Sequence, residues 1–348
     1  MKTQFHFHRG FSLIELMIAM TLGLFLTGAA LSIMLSNRQA FVTSENLSLM
    51  QGNARTAFDF MTRDIRAAGG NPCGANLVTN VLANANAAWW ANWTPGSLRG
   101  FENSQAGDAA QAIVPVGVAP GNRAAGTDAI LLLSGNMNEG VVVSTHNAAA
   151  APPNFRVTTA QHGLAQGNIV MVCDSRSAAI FEITNNPAGT SIEHAAGGPA
   201  PGNSRANLNP PLLSQYPQLP NLYQFEAGAL LTRLHGAFWY VGNNGRGNNS
   251  LYRVSVDGTS APRVDEIIEG AQNLQVDYVQ RNLAALTLSN WINANTVTNW
   301  INPAPPGIPF RVEAVRVTLT LQSRDPVGTN NLPITTTLAE TTYLRNRE

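Results

Sequence analysis

The sequence predicts an α+β protein: one long N-terminal α-helix, membrane-spanning in its first half, packed on an elaborated antiparallel β-sheet domain. Three observations predict it. From Phe11 to Leu35 the only charged residue is Glu15, and Leu16–Leu35 supplies about twenty apolar or small residues, roughly 30 Å as a helix. Beyond Arg38, apolar residues recur at Met50, Ala54, Ala57, Phe58, Met61, Ile65 and Ala68, in steps that make one helical face. After Gly69-Gly70-Asn71-Pro72, a helix stop, the chain breaks into short apolar runs separated by Gly, Pro and Asn.

Composition sets the bounds. At 348 residues and 44% hydrophobic content the chain can bury a sizeable core, and charged residues, at 12%, are few for a cytosolic protein. Lys+Arg and Asp+Glu are both 21, so no global field draws nucleic acid or anionic lipid. The one lysine is Lys2, and no basic stripe alternates with aromatics, so no nucleic-acid partner is expected.

The leader Met1–Gly10 carries Lys2 and Arg9 and no acid. The positive-inside rule then puts the N-terminus in the cytoplasm and everything after about Asn37 outside. A cleavable secretory signal competes with this reading. Its candidate sites near Ser36 and Ala40 place Met34 and Arg38 where a small residue is needed, and an acid within the apolar run is atypical. On the outer side of a membrane, Cys73 and Cys173 are a candidate disulfide, with two buried free thiols as the alternative.

In the second helical half Arg55, Asp59, Arg63 and Asp64 fall mostly off the apolar face, and Arg55 and Asp59 are spaced to pair. The short apolar stripe favours packing on a sheet over an isolated coiled coil. Trp89, Trp90 and Trp93 read as a hydrophobic cap over a small core, ahead of a ligand platform. Strand-like runs begin around Ala112 and continue at Ala129–Leu133, Gly140–Ser144, Asn168–Cys173 and Ala178–Thr184. Asn185–Pro220 reads as an irregular loop. A second group follows at Ala229–His235, Ala237–Val241, Leu251–Val256, Leu274–Gln280, Val312–Ser323 and Ile334–Arg345. Asn243-Asn244-Gly245 with Gly247 marks a long-tipped hairpin, and Pro303–Pro309 a loop insertion. In Val312–Gln322, Val315, Val317, Leu319 and Leu321 alternate with Arg316, Thr318 and Thr320, as in a half-buried antiparallel strand.

No pattern points to catalysis. His6, His8, His146, His162, His194 and His235 are scattered, without HExxH or metal spacing, and no nucleophile elbow or phosphate loop is present. Asp257-Gly258 and Asp325 stand in turn contexts, and Gly242–Gly247 reads as a hairpin tip. The expectation is a non-enzymatic protein with no catalytic residue, metal or cofactor.

Gly10-Phe11-Ser12-Leu13-Ile14-Glu15 resembles the processing motif of type IV prepilins and type II secretion pseudopilins. That resemblance implies a pilin-like fold, leader cleavage between Gly10 and Phe11 by a membrane prepilin peptidase, N-methylation at Phe11, and an assembly role for Glu15. A lone carboxylate in lipid costs about 2.5–3.5 kcal/mol on insertion scales, and the α-ammonium of Phe11 on a neighbouring subunit would offset it. Phe238-Trp239-Tyr240-Val241 leading to Leu251-Tyr252-Arg253, Ile267-Ile268-Glu269-Gly270 before Leu274–Tyr278, and the terminal Leu344-Arg345-Asn346-Arg347 resemble the PilW-type minor pilins. So do Asp64–Gly69 and the following Cys73-Gly74. The domains implied are a leader at 1–10, a transmembrane half-helix at 11–36, an amphipathic periplasmic half at 37–70 and a β-rich globular domain at 71–348. The implied function is structural: priming type IV pilus assembly in a minor-pilin complex, at the fibre tip. Implied partners are other minor pilins, the major pilin, the prepilin peptidase, the inner-membrane assembly platform, membrane lipid and a large tip adhesin. Two alternatives stand beside it: a J-type minor pseudopilin of type II secretion, which Val276–Tyr278 and Val312–Leu321 also resemble, and a tip adhesin.

Overall fold

The computed structural model describes residues 12–70, 73, 78–102, 109–136, 139–210, 222–301, 308–328 and 332–344. The chain divides into two compact units, Met1–Gln51 with Ser323–Ile334, and Gly52–Gln322 with Thr335–Glu348. A single helix, α1 (Leu13–Ala67), contributes to both.

In the first unit every residue of α1 up to Phe41 is exposed. The segment is long and apolar enough to cross a membrane. Three of its hydroxyls bond back to the helix: Thr21 donates to the carbonyls of Met17 and Ile18, Thr27 to those of Gly23 and Leu24, and Ser32 to that of Ala29. A polar group in hydrocarbon needs such a partner. Further along, the Ser323–Ile334 loop clasps the helix. Asn46 Nδ2 donates to Asp325 Oδ2 at 3.2 Å, and Thr43 Oγ1 donates to the Val327 carbonyl at 3.4 Å.

In the second unit α1 buries Ala54, Ala57, Met61 and Ile65, the face that the spacing predicts. Among the described residues no ion pair joins Arg55 and Asp59. The helix stops where Gly69 takes φ +74°, a conformation that favours glycine. Its N–H donates to the Leu133 carbonyl at 2.8 Å, and an added Cβ would lie 2.7 Å from Ser97 Oγ.

Among the described residues fifteen strands follow: β1 (Val78–Asn80), β2 (Leu98–Phe101), β3 (Ala129–Gly135), β4 (Val141–Asn147), β5 (Asn154–Val157), β6 (Ile169–Cys173), β7 (Ala178–Glu182), β8 (Ser191–Glu193), β9 (Leu230–Asn243), β10 (Asn249–Asp257), β11 (Arg263–Glu269), β12 (Ala271–Asn282), β13 (Thr287–Leu288), β14 (Phe310–Gln322) and β15 (Thr335–Tyr343). They form an eleven-stranded sheet and a four-stranded sheet in the order β13-β12-β14-β15. The long β9 is the hub of the larger sheet, pairing with β3, β4, β6 and β10. Asp128 ties the two sheets: its N–H donates to the Leu274 carbonyl and its Oδ2 accepts from Val276 N–H, each at 2.9 Å.

The observed strands depart from the expected ones in definite ways. Ala112 ends a short 3-10 turn, Ala109–Ala112, instead of opening a strand. The two runs flanking Gly236 are one strand because Gly236 has no side chain to hold off its neighbours; an added Cβ would lie within 3.3 Å of Trp89, Leu133 and Trp90. Ser191–Glu193 forms β8 within the stretch read as irregular loop. One pairing, β1 with β7, is parallel in an otherwise antiparallel-rich pattern. In β14 the expected alternation appears: Val315, Val317, Leu319 and Leu321 are buried. On the opposite face Arg316 pairs with Asp277 of β12 at 2.7 Å, and its guanidinium lies over Trp291. The three N-terminal tryptophans pack as a cap: Trp90 is buried, and Trp89 and Trp93 lie half-buried against apolar clusters. Pro303–Ala304–Pro305–Pro306–Gly307 lies outside the described residues, as do residues 211–221 of the long loop.

Candidate functional site

The residues with functional character form three groups. The first is the start of α1. Gly10 and Phe11, the expected cleavage and methylation positions, lie outside the described residues. Ser12 caps the helix: its Oγ accepts the Glu15 N–H at 3.2 Å and its carbonyl accepts the Leu16 N–H at 3.1 Å. Ser12 followed three residues later by Glu15 is the capping-box spacing, a sequence signal that the reading of Glu15 alone passes over. Glu15 is an exposed carboxylate in the first turn, where it complements the positive end of the helix dipole. No other charge follows until Arg38.

The second group joins the last turns of α1 to the larger sheet. Asp64, expected off the packed face, is instead buried. Positions 235, 237 and 239 of β9 and 253, 255 and 257 of β10 are cross-strand neighbours, so they share one face. That face presents Trp239, Arg253 and His235 to Asp64. Trp239 Nε1 donates to Asp64 Oδ2 at 2.9 Å, Arg253 Nε lies 3.3 Å from the same oxygen, and His235 Nε2 lies 3.7 Å from Oδ1. Arg253 also donates to His235 Nε2 at 3.2 Å and lies over the Trp239 ring, 5.7 Å from its centroid. As acceptor at Nε2, His235 carries its proton on Nδ1, which faces Asp257 Oδ1 at 4.0 Å. Burying Asp64 is tolerable because a cation and an indole donor meet it there.

The third group, His146 and His194, was seen in the sequence only as scattered histidines. Pairing of β4 with β5 and of β5 with β8 brings the two rings together. Their Nε2 atoms are 3.1 Å apart. His146 Nδ1 accepts from Phe225 N–H at 3.0 Å, and His194 Nδ1 contacts the Ala206 carbonyl at 2.9 Å. One assignment satisfies every atom: His146 is protonated on Nε2, donates to His194 Nε2, and His194 donates from Nδ1 to Ala206. Both rings are then neutral. Burial pushes the His146 pKa down to about 3, with His194 adding to the effect, and burial pushes His194 down to about 4. His146 stacks on Phe155 with centroids 4.1 Å apart. Nearby, the fully buried carboxyl of Glu182 accepts from Gly202 N–H at 2.8 Å, and burial raises its pKa.

Cys73 and Cys173 are joined by a disulfide with Cα atoms 5.8 Å apart. Among the described residues no group of three or more His, Cys, Asp and Glu side chains is placed to hold a metal ion.

Two family models match the chain. Residues 6–31 match the prokaryotic N-terminal methylation motif, and residues 238–347 match the type IV pilus-assembly protein W family. The second match runs from the middle of β9 past the end of β15, and so includes Trp239 and Arg253 but not the histidine pair. No curated protein and no solved structure matches the chain. The chain thus has a helix long and apolar enough to cross a membrane that begins inside a methylation motif, and a β-rich domain whose C-terminal part is similar to the type IV pilus-assembly protein W family, a combination that supports a type IV pilin-like role in pilus assembly.

Proposed function

We propose that this chain is a structural, non-catalytic minor pilin that primes fibre assembly from the inner membrane, with its sheet domain in the periplasm and, after assembly, at the fibre tip. The leader 1–10 is removed between Gly10 and Phe11, and Phe11 is methylated. The observation that carries the reading is Glu15: an exposed carboxylate in the capped first turn of an otherwise uncharged apolar segment, inside a matched methylation motif. A carboxylate there needs a cation, and a methylated amino terminus keeps its positive charge. Glu15 then sets the register of a neighbouring subunit by pairing with that terminus. The W-type match over residues 238–347 favours the pilus over the secretion pseudopilus.

Intact mass of the mature protein tests this directly. Loss of Met1–Gly10 with gain of one methyl group is the expected result. A retained leader, or cleavage near Ser36, overturns the proposal. The tip position is checked by immunogold labelling, which is expected at fibre ends; regular labelling along the shaft would refute it.

A further inference from the structure

Among the described residues six strands have a neighbour on one side only: β1, β2, β8, β11, β13 and β15. Four of these, β1, β2, β8 and β13, have four residues or fewer. The two long edges differ. In β11 four of seven residues are charged, and its pairing with β10 breaks register between Leu251 and Tyr252. Charges and bulges of this kind keep a stray strand from adding to a sheet. β15 has nine residues, five of them threonine, with one charge, no proline and no break in its register with β14. The opposite edge of the same sheet is taken up, because Asp128 and Ile292 bond the backbone of β12 and β13 pairs with its end.

The ladder fixes which backbone groups are open. Beyond one end of it Leu344 N–H donates to the Glu313 carbonyl at 2.9 Å, and beyond the other Ser323 N–H donates to the Ile334 carbonyl at 2.8 Å. Antiparallel pairs alternate between bonded and unbonded, so the even positions from 336 to 342 bond β14. Thr335, Thr337, Ala339, Thr341 and Tyr343 then turn their N–H and C=O groups to the open edge. The one charge is Glu340. It is exposed, its cross-strand neighbour on β14 is the buried Val317, and among the described residues no cation pairs with it. On an added strand the position opposite Glu340 is a non-hydrogen-bonded pair, where side chains lie closest. A lysine or arginine there meets the carboxylate, and an acid is repelled. Two copies of this chain paired antiparallel about Ala339 would set their Glu340 carboxylates diagonally on one face, which disfavours self-pairing. We infer that the open edge of β15 docks an extended segment of a different protein by strand addition, with a cationic residue opposite Glu340 and neutral β-branched residues beside the threonines. Thr320 and Thr337 already form a cross-strand hydroxyl pair of that kind at 3.1 Å. Resting on the fibre reading above, the segment belongs to another subunit of the same assembly.

The test uses the full chain in detergent micelles and a fluorescein-labelled nine-residue peptide, read by anisotropy. The peptide has threonine at odd and valine at even positions, except for lysine at the fourth, which opposes Glu340 when the strands pair antiparallel in full. Saturable binding is expected, weakened about tenfold by Glu340→Lys and restored to that variant by a peptide with glutamate at the fourth position. Ala339→Pro removes an edge-facing N–H and spares the bonds to β14, so it should abolish binding while its thermal melt stays near that of the parent chain. A peptide N-methylated at its odd positions, whose N–H groups face β15, should not bind; one methylated at even positions should. Absence of saturable binding, or binding indifferent to Ala339→Pro and to N-methylation, overturns the inference. So does a concentration-dependent dimer of the chain that Ala339→Pro dissolves, since a second copy would then be the occupant. The mature-mass measurement stands apart from this one: a chain with an intact leader that still binds the peptide keeps the docking edge and loses only the fibre subunit as the source of the segment.

Discussion

Two buried polar clusters in the sheet domain solve one problem in opposite ways. Around Asp64 a charge is kept inside and met by Arg253 and the Trp239 indole N–H. Around His146 and His194 no charge is admitted: two rings choose tautomers that let each nitrogen donate or accept once. The first cluster joins the helix to the sheet at the edge of an open cleft, within reach of solvent. The second lies among Phe155, Phe181 and Phe225, whose apolar rings pack against the imidazoles. The difference teaches that exposure decides the strategy. Where a cleft admits water and cations, a carboxylate is a usable joint; where aromatic rings close in, only a neutral hydrogen-bond chain is tolerable.

The largest expected effect breaks the charged cluster. Asp64→Ala leaves Arg253 and the Trp239 N–H facing a gap and is expected to lower stability by about 3–5 kcal/mol in chemical denaturation. Asp64→Asn keeps an acceptor for Trp239 and removes the charge, so a near-native stability for that variant would show that hydrogen bonding, not charge, holds the joint.

Acid is expected to act on the neutral cluster next. Folded His146 and His194 hold pKa values of about 3 and about 4, against 6.5 in the unfolded chain. Between those limits the unfolded chain binds more protons, so the stability contribution is whole above about pH 6.5 and lost as pH falls toward 3. The two rings together account for a decline on the order of several kcal/mol. Glu182, raised by burial, has the opposite sign, so the double variant His146→Phe with His194→Phe is the control. Its melting curves should lose the slope between pH 6.5 and 4; an unchanged slope would assign the acid sensitivity elsewhere.

Smaller effects sharpen the contrast. Arg253→Lys keeps the cation but loses the planar group over Trp239 and the donor to His235, and should cost about 1–2 kcal/mol by the same denaturation assay. Trp239→Phe removes only the indole donor and some volume, with an expected loss of about 1 kcal/mol. If Trp239→Phe proves the more damaging, the indole rather than the guanidinium is the anchor of Asp64.

The helix was readable because its signals are local and repeated. Met50, Ala54, Ala57, Met61, Ile65 and Ala68 are all buried, and glycine ends the run. Strands β12, β14 and β15 were readable for a like reason: they are long, and β14 alternates without a break from Val315 to Gln322. Strands of two to four residues, such as β1, β8 and β13, are too short to show a period. β6 and β7 are buried on both faces, so alternation is absent and only apolar runs mark them. The polar clusters were not readable at all. Asp64 and Trp239 are 175 residues apart and the two histidines 48 apart, so each cluster exists only once the sheet has assembled. Asp64 in particular sits one residue from buried Ile65, where helical periodicity alone cannot separate a buried neighbour from a solvated one.

The Cys73–Cys173 bond has a mechanical consequence. In a chain pulled through its two ends, tension runs along the shortest covalent path between them. The disulfide closes a loop spanning a sequence separation of 100, including β1 to β6, and that loop lies off the path. Were the domain to unravel under load, those residues would contribute no slack, and the contour released would be shorter by roughly 350 Å than for the reduced chain. The covalent link thus acts as a force bypass, shielding the Trp89–Trp93 cap and the core strands β3 to β6 from any pull that the helix transmits.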